Sequence, residues 1–339
     1  MKTYQNVFEN IISMENLFSA WEEFKKGKQK KKDVMEFEFN LEDSIFNLRR
    51  ELEDKTYKHG GYHGFYITDP KVRHIHKATV KDRILHHAIY SILNPIFEPT
   101  FIYDSYSCRK NKGTHKGIYR LEKFLRKVSK NNSKTCFVLK CDIKKFFESV
   151  NHDILISIIE KRVKDADVLW LIKEIIESFS QGIPIGNLTS QMFANIYLNE
   201  LDQFVKQKLK IPFYCRYTDD FVIIAESKEK LENWLSEIKD FLSKNLKMKL
   251  HPNKIIFRKY NQGVDFLGYV QFPHHRIVRT RTKRRIIKRV GKGIPEQSLQ
   301  SYLGVLSHAD SYDLSNEIKN LFWLNKKENP GNLRDKISD

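Results

Sequence analysis

Three aspartates lie where the hydrophobic pattern of the chain changes, and their chemistry is the clearest in the sequence. Asp142 ends an apolar stretch that begins at residue 137, and Asp219 and Asp220 occupy the polar centre of the apolar segment 214–225. This pattern predicts a strand that ends in an acid and a hairpin that carries two acids at its tip. Adjacent carboxylates among β-branched and aromatic residues are costly unless a cation neutralises them.

Two divalent cations would supply that neutralisation. Mg²⁺ prefers oxygen ligands, and two such ions roughly 4 Å apart stabilise the attacking and leaving oxygens of a phosphoryl displacement. An isolated Asp-Asp pair in a turn is more simply read as two solvated acids, but the third acid at a strand end favours the metal site. The sequence therefore predicts that Asp142, Asp219 and Asp220 hold two Mg²⁺ ions, with Mn²⁺ as an alternative.

The charge balance favours a polyanionic partner. The 339 residues include 60 Lys and Arg against 42 Asp and Glu, a net charge of +18. Cationic surfaces attract nucleic acids because every neutralised phosphate releases condensed counterions. A membrane surface is the competing partner, but no apolar run of about 18 residues and no secretory segment is evident, so we expect no membrane binding.

The cysteines predict a reducing environment. Cys108, Cys136, Cys141 and Cys215 form no C-x-x-C pair and have no histidine at zinc spacing. We therefore expect four reduced thiols in a cytoplasmic protein.

Helices and strands are both predicted, in an order that must bring the acids together. Periodicity and turn residues indicate helices at 15–26, 41–52, 80–93, 188–205 and 231–246, strands at 64–68 and 137–142, and a hairpin at 214–225. Three more helices are expected near the C-terminus, at 282–290, 298–307 and 314–324. Because strands and helices do not alternate regularly, the pattern predicts an α+β fold.

Six motifs, in order along the chain, resemble those of the reverse transcriptases. Residues 217–220 are similar to the Y-x-D-D box of that family, and residues 142–147 are similar to its D-x-x-x-F-F box. Residues 81–83 and 105–109 resemble its fingers motifs, and residues 182–191 resemble the motif beside the templating base. The last motif resembles the primer grip and consists of Phe266, Leu267, Gly268 and Tyr269.

The resemblance implies a right-hand polymerase that copies RNA into DNA. We expect a helical N-terminal extension at 1–34, fingers at 35–135, a palm with an antiparallel sheet at 136–270, and a basic helical thumb at 271–339. It also implies partners: an RNA template, the RNA–DNA duplex and dNTPs.

The resemblance further implies roles for residues near the acids. Asp142 and Asp219 would ligate both metal ions, with the Ile143 carbonyl as a backbone ligand and Asp220 as the less direct carboxylate. Phe147 would clash with the 2′-hydroxyl of a ribonucleotide and so select deoxynucleotides by shape. Packing in the core is the alternative role for this ring.

Four further residues are candidates for contact with the nucleotide. Arg73 and Arg109 are predicted to bind the triphosphate, since a guanidinium matches phosphate oxygens and stays charged. Lys254 is a candidate general acid that protonates the leaving pyrophosphate. Gln191 would lie near the nascent base pair and make the enzyme more tolerant of mismatched pairs. The alternative role for Gln191 is capping on a helix surface.

The subclass is indicated by Gln191 and by three other stretches that resemble the same group, at 101–110, 112–115 and 301–309. Group II intron enzymes tend to have proline at position 191, whereas a glutamine here resembles the diversity-generating retroelement enzymes. Those enzymes copy a template RNA with errors opposite adenine and work with a small basic accessory protein. Thr218 departs from that group, in which methionine is common. The related "unknown group" enzymes of antiviral defence, which use a structured noncoding RNA, are therefore the alternative.

A cluster of cations opens the expected thumb. Eight basic residues and no acid occur between 276 and 289. We predict that this helix grips the backbone of the RNA–DNA duplex without reading its sequence, whereas a solvated charge run is the alternative. The candidate contacts are Arg281, Lys283, Arg284, Arg285, Lys288 and Arg289.

Two functions from other classes remain to be compared. A non-catalytic RNA-binding scaffold on a polymerase-like fold would be expected to have lost its carboxylates, and all three are present. A metal nuclease uses the same two-ion chemistry, but a separate nuclease domain would need its own acid cluster, and the sequence shows none. Neither the RNA template nor the mode of priming follows from the sequence.

Overall fold

The computed structural model describes residues 2–68 and 71–328, and for residues 327 and 328 it describes the backbone. Four helices form the N-terminal region: α1 (Phe8–Ile12), α2 (Met14–Lys25), α3 (Lys32–Phe39) and α4 (Leu41–Glu53). The Ser13 hydroxyl caps α2 by accepting a hydrogen bond from the Asn16 N–H. The apolar face predicted for this helix is buried, and Leu17, Trp21 and Phe24 are at most 1% exposed.

The next elements are a two-stranded hairpin and two long helices. Strands β1 (His63–Ile67) and β2 (Arg73–Lys77) pair antiparallel, and they are followed by α5 (Val80–Phe97) and α6 (Thr114–Val128). The prediction that α5 stops before Pro95 was wrong. Although proline removes one helical hydrogen bond, the last turn continues because Ile96 and Phe97 are buried, at 7% and 3% exposure.

A four-stranded antiparallel sheet forms the centre of the molecule. Its strands are β3 (Phe137–Asp142), β4 (Tyr214–Tyr217), β5 (Asp220–Ala225) and β6 (Ile256–Lys259), in the order β4-β5-β3-β6. The hairpin predicted at 214–225 is therefore present. The helices between these strands are α7 (Phe146–Ser149), α8 (His152–Glu160), α9 (Ala166–Glu177), α10 (Leu188–Gln203) and α11 (Lys228–Leu246).

The two central strands, β3 and β5, are buried on both faces, which explains why they are mostly apolar, whereas the edge strand β6 is largely exposed. Leu139 and Ile223 belong to the large core shared with α10 and α11. Val138 and Ile224, one residue along each strand, point to the opposite face and pack with Leu125 of α6. Alternate residues of one strand thus enter two separate cores, and the acidic ends of the strands lie at one edge of the sheet.

The C-terminal part contains a small sheet and a helical subdomain. Strands β7 (Val264–Phe266), β8 (Tyr269–Gln271) and β9 (Arg276–Val278) pair antiparallel in that order. Helices α12 (Thr280–Val290), α13 (Glu296–Leu306) and α14 (Tyr312–Glu328) follow and enclose a third core.

The α+β class expected from the sequence is what the structure has. The division into extension, fingers, palm and thumb stays a prediction, and two of its boundaries fall inside elements. The boundary after residue 34 lies within α3, and the boundary after residue 270 lies within β8. Within the described ranges, no helix is both long and apolar enough to cross a membrane.

Candidate active site

Strand pairing brings the three acids to one edge of the central sheet. In the β3–β5 register Asp142 lies directly opposite Asp220. The Ile143 N–H donates a hydrogen bond to the Asp219 carbonyl at 3.1 Å, so the end of β3 is also fastened to the hairpin turn. Acids about 80 residues apart in sequence therefore become neighbours because β3 and β5 are adjacent strands.

The turn between β4 and β5 has an unusual backbone conformation. Thr218 and Asp219 form a two-residue hairpin loop, and Thr218 has a φ of 52°. A positive φ is unusual for a β-branched residue, and such strain persists only where the surrounding structure enforces it. The conformation of this turn decides where Asp219 is presented.

Two lysines neutralise part of the acidic charge. The Lys254 ammonium lies 2.8 Å from both carboxylate oxygens of Asp142. It is brought there by the short helical turn Pro252–Lys254, which is tied to β3 because the His251 N–H donates to the Asp142 carbonyl at 2.8 Å. The Lys140 ammonium lies 3.3 Å from one oxygen of Asp220. Lys140 had no role in the sequence analysis, although its alternation along β3 places it on the same face as Asp142.

Burial raises the pKa of both hairpin acids. Desolvation raises the pKa of Asp219, and the nearby charge of Asp142 raises it further, while Lys254 and Lys71 oppose the shift. Desolvation raises the pKa of Asp220 from 3.8 to about 6, against the opposing effect of Lys140. The site thus holds its carboxylates at a cost that a bound cation would remove.

The donor set fits a divalent cation of the magnesium type. The enclosed Oδ1 of Asp220 has no hydrogen-bond partner among the described residues, which leaves a carboxylate oxygen for a ligand. Within those residues, no group of three or more Asp, Glu, His or Cys side chains is arranged to hold a metal ion by itself. Mg²⁺ is typically held by one or two carboxylates together with substrate phosphates and water, so an open set of this kind is suitable.

Two residues beside the acids are placed by backbone contacts. Ile143, the predicted backbone ligand, is buried next to Asp219. The half-buried Phe147 ring packs edge-on against Phe146 at 5.2 Å. The Phe147 carbonyl accepts a hydrogen bond from Ile183 at 2.8 Å, and a Cβ on Gly182 would lie 2.1 Å from that oxygen. Only glycine therefore allows the 182–183 segment to pack beneath Phe147.

The two arginines predicted to bind the triphosphate have different environments. Arg73 is exposed on β2 of the hairpin. Arg109 is 6% exposed in its side chain and is bound to Glu98 at 2.8 Å. Its guanidinium also donates to the carbonyls of Ile102 and Ser105, at 2.7 and 2.8 Å. Most donors of the Arg109 fork therefore hold the chain around it, and its predicted contact with the triphosphate stays a prediction.

Gln191 lies where the hairpin meets helix α10. It is exposed in the first turn of α10 and lines a cavity of about 280 Å³ together with Phe65, Ile75 and Gly186. The His76 N–H donates to the Ile185 carbonyl at 2.9 Å, which fixes the hairpin against this segment. The cavity lies in the region where the resemblance places the templating base.

The predicted primer grip is a tight turn with buried flanks. Leu267 and Gly268 form its tip, with φ values of 50° and 92°. Phe266 and Tyr269 are 1% and 3% exposed and belong to two different cores. A direct contact of these two rings with a primer is therefore excluded by their burial, and the tip is the part that remains accessible.

The cationic helix α12 begins next to this turn. The Arg279 N–H, at the start of α12, donates to the Gly268 carbonyl at 3.0 Å. Ile286 and Val290 bury one edge of the helix in the third core. Arg285 is partly buried, while the other predicted contacts are exposed: Arg281, Lys283, Arg284, Lys288 and Arg289.

The structure thus combines acids at the ends of two adjacent antiparallel strands with an exposed hairpin that carries Arg73 and with a basic helix, which is an arrangement suited to a template-directed nucleotide polymerase. The match to a family model agrees: residues 58–271 match the reverse transcriptase (RNA-dependent DNA polymerase) family. The chain therefore belongs to the reverse transcriptases, and it is an RNA-directed DNA polymerase that binds an RNA template.

Several characterised proteins are similar to the chain. It is 25% identical over 304 residues to Protein YkfC of Escherichia coli K12, covering 77% of each chain. It is 25% identical to the group II intron-encoded protein LtrA of Lactococcus lactis, covering 67% of this chain and 49% of LtrA, so it spans about half the length of that relative. It is also 31% identical over 109 residues to the retron Ec73 reverse transcriptase of E. coli, covering 28% of this chain and 34% of that one.

One solved structure is distantly similar. The apo telomerase of Candida tropicalis, truncated from its C-terminal domain, aligns with a TM-score of 0.48 and 13% identity over 68% of this chain and 59% of the telomerase.

Proposed function

We propose that the chain copies a dedicated template or noncoding RNA into cDNA by two-metal-ion nucleotidyl transfer, as part of a diversity-generating retroelement. The observation that carries the catalytic part is the β3–β5 register, which sets Asp142 opposite Asp220 and beside the Asp219 turn. Two Mg²⁺ ions bound there would activate the primer 3′-oxygen and stabilise the leaving pyrophosphate.

The residues of the chain hold and orient the reactants. Asp142 and Asp219 would be the shared ligands, with the Ile143 carbonyl beside them, and the unpartnered Oδ1 of Asp220 would complete the set. The Asp142 carboxylate keeps lone pairs for a metal ion beside its two contacts with Lys254. The Lys254 ammonium is the candidate donor of a proton to the pyrophosphate.

Selection of the nucleotide is assigned to two exposed or half-exposed groups. Phe147 follows Asp142 by five residues, and its backbone is fixed by Ile183. A ring held there would exclude a ribose 2′-hydroxyl by shape. Arg73, exposed on the hairpin, is the stronger candidate for the triphosphate, because Arg109 is already engaged by Glu98.

The retroelement assignment rests on Gln191. Its side-chain amide lines the cavity beside Gly186, where it can contact the template and loosen the check on base pairing. Under this proposal the partners include a structured RNA and a small basic accessory protein. The enzyme would act in the cytoplasm, which agrees with its four free thiols in the described ranges. An antiviral-defence enzyme that copies a partner noncoding RNA is the second candidate, supported by Thr218 in place of methionine.

Primer extension on RNA tests the proposal. The wild type is supplied with a primed RNA template, dNTPs and Mg²⁺, and is compared with an Asp219→Ala, Asp220→Ala double variant. Asp240→Ala, which removes an exposed acid paired with Lys244 on helix α11, is the matched control. Extension by the wild type and the control, but not by the double variant, is expected.

Sequencing of the product tests the subclass. Errors concentrated opposite adenine, and reduced by Gln191→Pro, are expected for a diversity-generating enzyme. A faithful copy from the RNA that copurifies with the protein would instead support the defence role. Equal extension by the double variant would refute the catalytic assignment, and no extension on either RNA would favour a non-catalytic scaffold.

A further inference from the structure

A buried ion pair lies directly beneath the catalytic turn. Arg216 of β4 and Asp202 of α10 both have side chains that are 0% exposed. The Arg216 Nε donates to Asp202 Oδ1 at 2.8 Å and its Nη2 donates to Oδ2 at 2.6 Å, a bidentate arrangement. The Tyr214 hydroxyl adds a third hydrogen bond to Asp202 Oδ1 at 2.7 Å. The Asp202 carboxylate is thus well satisfied and fixes the plane of the guanidinium.

The same guanidinium reaches the turn. The Arg216 Nη1 donates to the Thr218 carbonyl at 3.0 Å. This carbonyl belongs to the peptide that links Thr218 to Asp219, so its orientation determines the direction in which the Asp219 side chain leaves the turn. Lysine has a single point-like ammonium and lacks a planar fork, so it is not equivalent here.

We propose that Arg216 is a positioning residue for catalysis, which acts by fixing the Thr218–Asp219 peptide through its buried pair with Asp202. The left-handed backbone of Thr218 needs such support, because a β-branched residue does not adopt a φ of 52° without external constraint. The inference deepens the proposed function, since it assigns a residue to the placement of Asp219.

A second contact holds the same turn from the other side. Residues 104–107 run along the edge of β4, where the Tyr106 N–H donates to the Arg216 carbonyl and the Arg216 N–H donates to the Asp104 carbonyl, both at 2.9 Å. From this segment Ser107 places its hydroxyl 2.6 Å from the hydroxyl of Thr218. The Ser107 carbonyl is itself held by the Asn195 side-chain amide at 2.9 Å. The turn is therefore clamped at its carbonyl and at its side chain.

A role in positioning Asp219 explains why Arg216 and Asp202 form a buried ion pair, which the stability of the fold alone does not require. Replacing a buried ion pair with apolar residues of similar volume is often neutral or stabilising, because desolvation offsets the attraction between the charges. The Arg216 fork does what an apolar residue would not, since it joins α10, β4 and the turn in one hydrogen-bonded plane.

Single-nucleotide incorporation by three variants tests the proposal. Arg216→Lys keeps the charge and loses the fork. The double variant Asp202→Asn, Arg216→Gln keeps a hydrogen-bonding pair without burying a lone charge. Ser107→Ala removes only the hydroxyl beside Thr218. The matched control is Ser129→Ala, which removes an equally buried hydroxyl that bonds to residues 126 and 132 and not to the turn.

We expect kcat to fall by on the order of 10²-fold in both Arg216 variants, as is typical when catalytic groups are misplaced by about 1 Å. The kcat of Ser107→Ala should fall about tenfold, which corresponds to the loss of one hydrogen bond. The KM for dNTP and the affinity for the primed RNA should stay within about threefold of the wild type, and Ser129→Ala should keep its kcat.

Two results would overturn the proposal. One is a folded double variant, or Ser107→Ala, whose kcat stays within about threefold of the wild type. The other is a parallel fall of kcat, RNA affinity and melting temperature in Ser107→Ala and Ser129→Ala alike, which would reveal a purely structural role. If Arg216→Lys does not fold, the other two variants decide. An inactive wild type in the same assay would count against the polymerase function itself.

Discussion

Asp220→Asn is expected to stabilise the metal-free protein at neutral pH while it abolishes polymerisation. In the folded chain, burial raises the pKa of Asp220 from 3.8 to about 6. A rise of about two units corresponds to ~3 kcal/mol of preference for the protonated form, and its side chain is only 23% exposed. Asparagine removes that cost but also leaves Lys140 without its partner, so we expect a net gain of about 1–2 kcal/mol.

The rise in the pKa of Asp220 on folding determines how the stability of the protein depends on pH. Because the folded pKa lies above the unfolded one, the cost of the ionised Asp220 is absent below about pH 4, grows between about pH 4 and pH 6, and is complete above pH 6. The stability difference between the variant and the wild type should therefore be present at pH 8 and should vanish at about pH 4.

Thermal unfolding in a metal chelator measures this difference. At pH 8 the melting temperature of Asp220→Asn should exceed that of the wild type by a few degrees. Asp54→Asn, which removes an exposed acid, is the control and should shift the melting temperature far less. Added Mg²⁺ should stabilise the wild type more than Asp220→Asn, since ligation favours the folded state. A variant that is no more stable than the wild type at pH 8 would refute the reasoning.

Four further variants have expected outcomes. Gly182→Ala should reduce both folding yield and polymerisation, measured by soluble expression and primer extension, because its Cβ would lie 2.1 Å from a carbonyl oxygen. Arg109→Ala should lower the melting temperature, whereas Arg73→Ala should raise the KM for dNTP and leave the melting temperature unchanged; the reverse pattern would contradict their assignment. Arg281→Ala combined with Arg284→Ala should reduce the slope of log K for RNA binding against log salt concentration by about 2. An unchanged slope would mean that the duplex does not contact these two arginines.

Local sequence pattern was sufficient for the elements and for the acids. The apolar run before Asp142 and the polar break at Asp219 and Asp220 predicted the strand and the hairpin that the structure has. Periodicity located helices α2, α4, α10 and α11 to within a few residues, because one buried face repeats along each helix. The α+β class followed from the irregular order of strands and helices, and the family followed from the six motifs.

Tertiary structure decided which charged side chains are available for chemistry. Arg109 is a residue type that often binds phosphate, but its guanidinium is bonded to Glu98 and to two backbone carbonyls. Lys254 was predicted as an acid, and the structure adds that it spans both oxygens of Asp142. No periodicity links these partners, since each pair meets through the path of the backbone between distant elements.

The support for the catalytic turn was also invisible in the sequence. Arg216 and Asp202 are 14 residues apart on a strand and a helix, and only the packing of α10 against the sheet joins them beneath Thr218. Similarly, the burial of Phe266 and Tyr269 depends on two cores that form from different parts of the chain. The sequence by itself determined the class and the carboxylates because both are written in local pattern. The three-dimensional packing determined the environment of each charge, because solvation and pairing depend on residues that are distant along the chain.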